Sequence, residues 1–289
     1  MDCPSIGRNG PFPYVLHHGA VSGVTGSAHE WVIGEQASVL IDCGLFQGRD
    51  QGPGGASADN LAIDFDISRI QALVLTHVHI DHVGRLPWLF AEGFSGPIYC
   101  SGPSAKLLPI VMEDAFRLGV SRSPSDVEQF LDMLQERLVP LPYDHWHDIE
   151  LPSEVRTEVR LQRAGHILGS AFVECRWQSR HITVFSGDLG AADAPILPPP
   201  LSPAEADVLV MTDIYAASED PIEGISGETL LQATRQHGQR QTHFVAQVDD
   251  LASEVVPLLK RGDVVLTLGA GNILRAGEAI LEKLDHVQL

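Results

Sequence analysis

The sequence predicts an α/β protein, and three observations lead there. Short apolar runs such as Val39 to Ile41 and Ile70 to Leu75 have the length of buried strands. Between them lie stretches whose apolar residues recur three and four apart, the spacing of one helix face. From Ala206 onward strand and helix patterns alternate, the order of parallel strands with covering helices. The chain has 289 residues; at ~150 residues per domain that is one large or two small domains.

The elements follow in order. Val39 to Asp42 is a strand ending on an acid, and Gly52 to Asn60, rich in small residues, is a loop. Ile70 to Thr76 is a buried strand. Leu86 to Glu92 is a short helix stopped near Gly93, and Pro97 to Cys100 a short strand. Ser104 to Leu118 is a helix with Leu107, Leu108, Val111, Met112 and Ala115 on its inner face. Ser123 is placed to cap the next helix, with Pro124 in its first position and Val127, Phe130, Leu131 and Leu134 inward. Val159 to Leu161, Ala171 to Trp177 and His181 to Phe185 are strands, and the proline-rich stretch 195–203 is a surface connection. Beyond the strand Ala206 to Thr212, helices are predicted over 227–237, 249–261 and 271–284, with strands over 242–247 and 263–268.

Composition narrows the function classes. Thirty-eight acids oppose nineteen Lys and Arg, a net charge of −19, and no basic cluster stands out. Phosphate contacts supply most nucleic-acid affinity, so this balance argues against a nucleic-acid partner. No apolar run reaches the ~20 residues of a membrane span, and the start lacks a basic stretch followed by an apolar one. A cytoplasmic protein with no membrane partner is expected. Cys3, Cys43, Cys100 and Cys175 lie far apart without a CxxC pair, as free thiols in a reducing compartment would.

The chemistry concentrates in His77-Val-His-Ile-Asp-His82, directly after a strand. Three imidazoles and a carboxylate in six positions would repel when protonated, and when neutral they leave polar nitrogens to satisfy. A metal resolves both difficulties, because neutral imidazole and carboxylate suit zinc and its neighbours. Ala164-Gly-His-Ile-Leu-Gly-Ser170 and Phe185-Ser-Gly-Asp-Leu-Gly190 repeat the theme, each setting one ligand-type side chain between glycines at a strand end.

With Val24-Thr-Gly-Ser27 and Leu40-Ile-Asp-Cys-Gly-Leu-Phe-Gln-Gly48, these segments make five motifs in order, and over about Val15 to Val210 the chain resembles the metallo-β-lactamase superfamily. The β-CASP branch of RNA-processing nucleases is the most similar. The resemblance implies an αββα sandwich with two divalent metals at one edge, most simply zinc, with manganese or iron as alternatives. It assigns His77, His79 and His166 to the first metal and Asp81 and His82 to the second. Asp188 would bridge them, and Asp42 would buttress the histidine loop from outside the coordination shell. In catalysis Asp81 and Asp188 would orient a metal-bound hydroxide.

The resemblance breaks after Val210. The large β-CASP cap is missing, as is the last histidine that the branch donates to the second metal. Thr212 to Leu289 instead resembles the C-terminal end of UDP-N-acetylmuramate–alanine ligase, carried by Pro221-Ile-Glu-Gly224 and by Gly262-Asp-Val-Val-Leu-Thr-Leu-Gly-Ala-Gly-Asn-Ile273. The chain thus looks like a gene fusion: residues 1–210 without the cap, and a ligase-derived β-α-β-α segment, 211–289, packed on the same sandwich and completing it. No phosphate-loop lysine motif accompanies the tail. Gln247 or Asp249 is expected near the position of the lost histidine.

An open site without a cap or basic cleft implies a dimetal hydrolase of small phosphodiesters and phosphotriesters. No side-chain general acid is identifiable, which favours good leaving groups. The alternatives are a β-CASP ribonuclease, a lactonase, thioesterase or β-lactamase, and a non-catalytic fusion whose metals are structural. The partners expected are a small-molecule ester and a second copy of the chain in a homodimer. His17, His18 and His29 flank a loop that in this superfamily runs near the metals, whereas His145 and His147 read as a solvated face.

Overall fold

A computed structural model describes residues 12–20, 25–47, 61–149, 151, 156–178, 181–191, 196–201, 209–212, 231–232, 235, 242–260 and 273–284. These fall into two compact units, one ending at Pro203 and the other beginning at Ala204. The sequence boundary at 210/211 lies seven residues further on.

The first unit holds two sheets. Six strands, β1 (Tyr14–His17), β2 (His29–Gly34), β3 (Ala37–Ile41), β4 (Ile70–Val74), β5 (Ile98–Ser101) and β6 (Leu138–Leu141), lie side by side in chain order. β1, β2 and β3 are antiparallel, and β3 to β6 run parallel. Parallel neighbours need crossovers: α1 (Ile80–Val83) and α2 (Leu86–Ala91) lie between β4 and β5, and α3 (Gly102–Gly119) and α4 (Pro124–Arg137) between β5 and β6. Four antiparallel strands make the second sheet: β7 (Trp146–Asp148), β8 (Thr157–Arg163), β9 (Ala171–Trp177) and β10 (His181–Phe185), in the order β10-β9-β8-β7.

Strand alternation assigns each apolar run to two cores. Leu40, Leu73, Ile98 and Cys100 face the helices and meet Leu86, Leu89, Leu108, Met112, Phe130 and Leu134. Their neighbours Val39, Ile41, Val74 and Tyr99 point the other way, against Val159, Leu161, Val173 and Cys175 of the second sheet. Burial on both faces is why β3 and β4 read as continuous apolar runs rather than alternating ones. The far face of the second sheet is polar. Glu158 and Glu174 are almost fully buried there, paired with Arg176 at 2.6 Å and Arg160 at 2.5 Å. Both guanidiniums also stack on the Trp146 ring, Arg160 at 4.6 Å and Arg176 at 4.0 Å from its centroid.

In the second unit, β11 (Leu209–Thr212) pairs in parallel with β12 (Thr242–Val245). Val245, Leu251, Ala252, Val255, Val256, Ala276 and Ile280 form its core, between α5 (Leu251–Val255) and α6 (Ile273–Leu284). The helix predicted over 249–261 is a short α-helix between two 3-10 turns, Val248–Asp250 and Val256–Leu258. Pro257 lacks the N–H that would continue it. The strand predicted over 263–268 and most of the helix over 227–237 lie outside the described residues. Ser123 occupies the N-cap of α4, but its hydroxyl lies 2.9 Å from that of Ser125 and makes no capping bond. Cys43, Cys100 and Cys175 are buried and free. Among the described residues no helix is long and apolar enough to cross a membrane.

Candidate metal centre

The site forms at the C-terminal ends of the parallel strands. β3 ends on Ile41, and Asp42 turns out of the sheet at φ 60°, a left-handed conformation that short polar side chains tolerate. Its buried carboxylate accepts from the Thr76 backbone N–H at 2.8 Å and the Thr76 hydroxyl at 2.8 Å, and lies 2.7 Å from His82 Nδ1. These bonds tie the end of β3 to the segment after β4. There the chain runs extended through His77 to His79, then coils into α1, which carries Asp81 and His82. His79 stands at the N-cap of α1 without making a capping bond.

Two further loops bring up the remaining groups. The 164–170 turn after β8 delivers His166, and Ser101 and Ser104 at the start of α3 hold that turn by donating to Gly169 O at 2.6 and 2.9 Å. The 186–190 turn after β10 delivers Asp188, and Gly190 N–H donates to Ala164 O at 2.8 Å.

His77 Nε2 and His166 Nε2 lie 3.1 and 3.0 Å from His79 Nδ1. Asp188 Oδ2 lies 3.7 Å from His77 Nε2 and 3.4 Å from His166 Nε2. One ligand atom from each of His77, His79, His166 and Asp188 falls within 4.8 Å of all the others, the one such group of metal-ligand type among the described residues. His79 Nδ1 can share a proton with only one of its two nitrogen neighbours. A cation resolves the crowding, because metal–nitrogen bonds of ~2.0–2.1 Å in a tetrahedron put donor atoms ~3.3 Å apart. On the other side, His82 Nε2 is buried without a hydrogen-bond partner, 3.4 Å from Asp188 Oδ1. With Nδ1 engaged by Asp42, Nε2 is the nitrogen left to face the Asp188 carboxylate. The residues present therefore fit a metal at the four-residue cluster, with His82 and the second Asp188 oxygen facing one another beside it.

Electrostatics favour deprotonated donors in part. Burial, then the charge of His82, lowers His77 to about 3, so it is a neutral ligand at physiological pH. Burial would lower His82 too, but the Asp42 and Asp188 carboxylates outweigh it and raise it to about 10 in the metal-free protein. Contact with His82 is the largest influence on Asp188 and, against burial, brings it to about 2.

The other predicted residues are placed as follows. Asp81 is half-buried, outside the four-residue group; its charge acts on His166 and its carbonyl accepts from Ser27 N–H at 2.9 Å. Gln247 and Asp249 are exposed residues of the second unit, at the end of β12. His18 pairs with Glu30 at 2.8 Å and stacks on Phe65, while His17 lies 2.8 Å from His29. His29 in turn is 3.4 Å from Ser27, which donates to Asp42 at 3.3 Å. His145 is exposed, but His147 is half-buried with Nε2 shielded, so the pair is not a uniformly solvated face. Sequence reasoning missed Thr76, whose role depends on a partner 34 residues away.

A profile described as "Metallo-beta-lactamase superfamily" matches residues 26–236. The chain belongs to this superfamily. It is 38% identical over 203 residues to "Ribonuclease TTHA0252" of Thermus thermophilus, covering 70% of this chain but 43% of that protein. A separate segment is 58% identical over 82 residues to "UDP-N-acetylmuramate--L-alanine ligase" of Desulfotalea psychrophila, covering 28% of this chain and 18% of that one. The chain thus spans less than half the length of each relative, and it joins a metallo-β-lactamase fold to a ligase-like C-terminal segment. Among solved structures, a Cronobacter sakazakii metallo-beta-lactamase aligns at 17% identity and a TM-score of 0.37, over 61% of this chain and 57% of that one. Members of the metallo-β-lactamase superfamily are metal-dependent hydrolases, and the His/Asp cluster of this member is of the type that holds divalent metals.

Proposed function

We propose that this metallo-β-lactamase superfamily member is a two-metal hydrolase of small phosphate esters, phosphodiesters first and phosphotriesters with them. The observation that carries the reading is the convergence of His77, His79 and His166 on one oxygen of Asp188, while His82 faces the other. Two divalent cations, zinc by the mixed nitrogen and oxygen donors, would supply Lewis acidity and a water acidified toward neutrality. Asp188 would serve both positions, one through each carboxylate oxygen. Asp42, engaging Nδ1, would leave Nε2 as the His82 nitrogen available to a metal. Asp81, next to His82 in sequence, would add a further carboxylate ligand. The charge of −19 and the missing cap sequence support small substrates over polymers.

The test is chelation followed by reloading with zinc, manganese or iron, and assay against chromogenic phosphodiester, phosphotriester, lactone, thioester and β-lactam substrates. Metal-dependent hydrolysis of the phosphate esters, lost in folded His77→Ala and Asp188→Ala variants, is expected. Equal rates in loaded and chelated protein, or preference for a carbon ester, overturn the proposal. The ribonuclease relative supports a second reading, RNA cleavage. That reading predicts cleavage of an RNA oligonucleotide with binding that weakens steeply with salt.

A further inference from the structure

Three loops of the first unit meet beside the metal centre. The 164–170 turn carries His166, the 186–190 turn carries Asp188, and residues 196–201 follow. Gly190 N–H donates to Ala164 O at 2.8 Å, and Leu201 N–H donates to Arg163 O at 2.9 Å. Their approach leaves no room for side chains. A Cβ on Gly190 would collide with the Gly165 carbonyl, and one on Gly165, at φ +69°, would come within 2.8 Å of the Pro200 ring.

These loops expose apolar surface. Leu168 is 60% exposed, Leu189 53%, Ile196 90% and Leu201 40%, four of the ten large apolar side chains that the described residues leave exposed. Leu189 directly follows Asp188 and Leu168 lies two residues after His166, so their Cα atoms are within ~3.8 and ~7.6 Å of those of the ligands. None of the three segments contains a lysine or arginine. Arg163, just before the first, lies 3.6 Å from Asp144 and stacks over Tyr143. A negative charge resting on these loops would find no lysine or arginine on them to pair with. An uncharged apolar group would bury leucine surface.

We infer that this rim is a subsite for an uncharged apolar ester group of the substrate, and that Leu168 and Leu189 set a preference for aryl over small alkyl groups at phosphorus. The inference rests on the phosphate-ester reading above and names the substrate class within it. An aryl ring adds several apolar carbons over a methyl group, and one methylene in an apolar pocket is worth ~10-fold or more in discrimination. On an open rim the aryl preference should therefore be at least about tenfold.

The test uses the full chain loaded with metal and two activated phosphodiesters that share a p-nitrophenolate leaving group and carry either phenyl or methyl on the second ester oxygen. The phenyl ester is expected to be favoured about tenfold in kcat/KM, chiefly through KM. Leu168→Ala and Leu189→Ala should each reduce that ratio, and Leu168→Lys or Leu189→Lys should abolish it, with metal content per chain kept. Calorimetric binding of phenylphosphonate against methylphosphonate gives the same comparison without turnover. If no diester is hydrolysed but phenylphosphonate still binds more tightly and loses that advantage in the leucine variants, the phosphate-ester reading falls and the apolar subsite stands. Equal ratios in parent and variants overturn the subsite while leaving the hydrolase reading intact. Sedimentation showing a dimer that the lysine variants dissociate also overturns it, because a second copy then covers the rim.

Discussion

Asp42→Asn should damage both stability and metal affinity, by amounts the geometry allows to be worked out. The carboxylate is 1% exposed; Oδ1 accepts from the Thr76 backbone, while Oδ2 receives the Thr76 hydroxyl and lies 2.7 Å from His82 Nδ1. An amide of the same shape keeps one acceptor oxygen, so its NH2 must face one of these donors. A buried donor left without an acceptor costs ~1–3 kcal/mol, and losing the charge on the remaining bonds costs ~1 kcal/mol more. Unfolding of the metal-free variant in urea should therefore show a loss of about 2–4 kcal/mol. Removing such an outer partner typically weakens metal binding ~10–100-fold, because the imidazole loses its fixed tautomer and orientation. Competition against a chromophoric chelator measures this directly. If His82 transmits the effect, the affinity lost in Asp42→Asn should largely vanish in a His82→Ala background. A variant within ~0.5 kcal/mol of the parent that also binds metal within twofold would refute the reasoning, as would full additivity with His82→Ala.

Glu30 predicts an acid limb of stability. Burial would raise this carboxyl, but hydrogen bonds from His18 and Arg69 hold it at about 2, below its ordinary 4.5. The stabilisation is present above pH 4.5 and lost as pH falls toward 2, so Glu30→Gln should flatten that limb in pH-dependent urea melts. Arg160→Met should destabilise by ~3 kcal/mol, because Glu174, 1% exposed, loses its 2.5 Å partner while staying buried; an unchanged urea midpoint would contradict this. Gly190→Ala should cut metal content per chain well below that of the parent, since the new Cβ would strike the Gly165 carbonyl beside His166.

The parts of this molecule legible in the sequence are those whose physics is local. β3 and β4 are visible because both faces are buried and all their residues but Gln71 are apolar or small. Six consecutive residues carry four of the six predicted ligands, so His77 to His82 announces itself without the fold. β2 escapes the same reading because a fully buried Glu30 interrupts it, and its partner Arg69 lies 39 residues away. The 249–261 helix is misread because apolar spacing outweighs the one proline that breaks it.

Convergence is the part a sequence pattern does not contain. His166 follows the cluster by 87 residues in the contact it makes with His79, and Asp188 comes later still. What brings them together is backbone chemistry: Asp42 clamps the turn at Thr76, Ser101 and Ser104 seize Gly169, and Gly190 donates to Ala164. Each of those bonds joins segments that propensity treats separately. The same joints set Leu168 and Leu189 on two ligand-bearing loops. Ligand identity is therefore written in short motifs, whereas the shape and polarity of the opening arise only when three loops close on one another. Substrate preference, which depends on that opening, has to be sought in the assembled site.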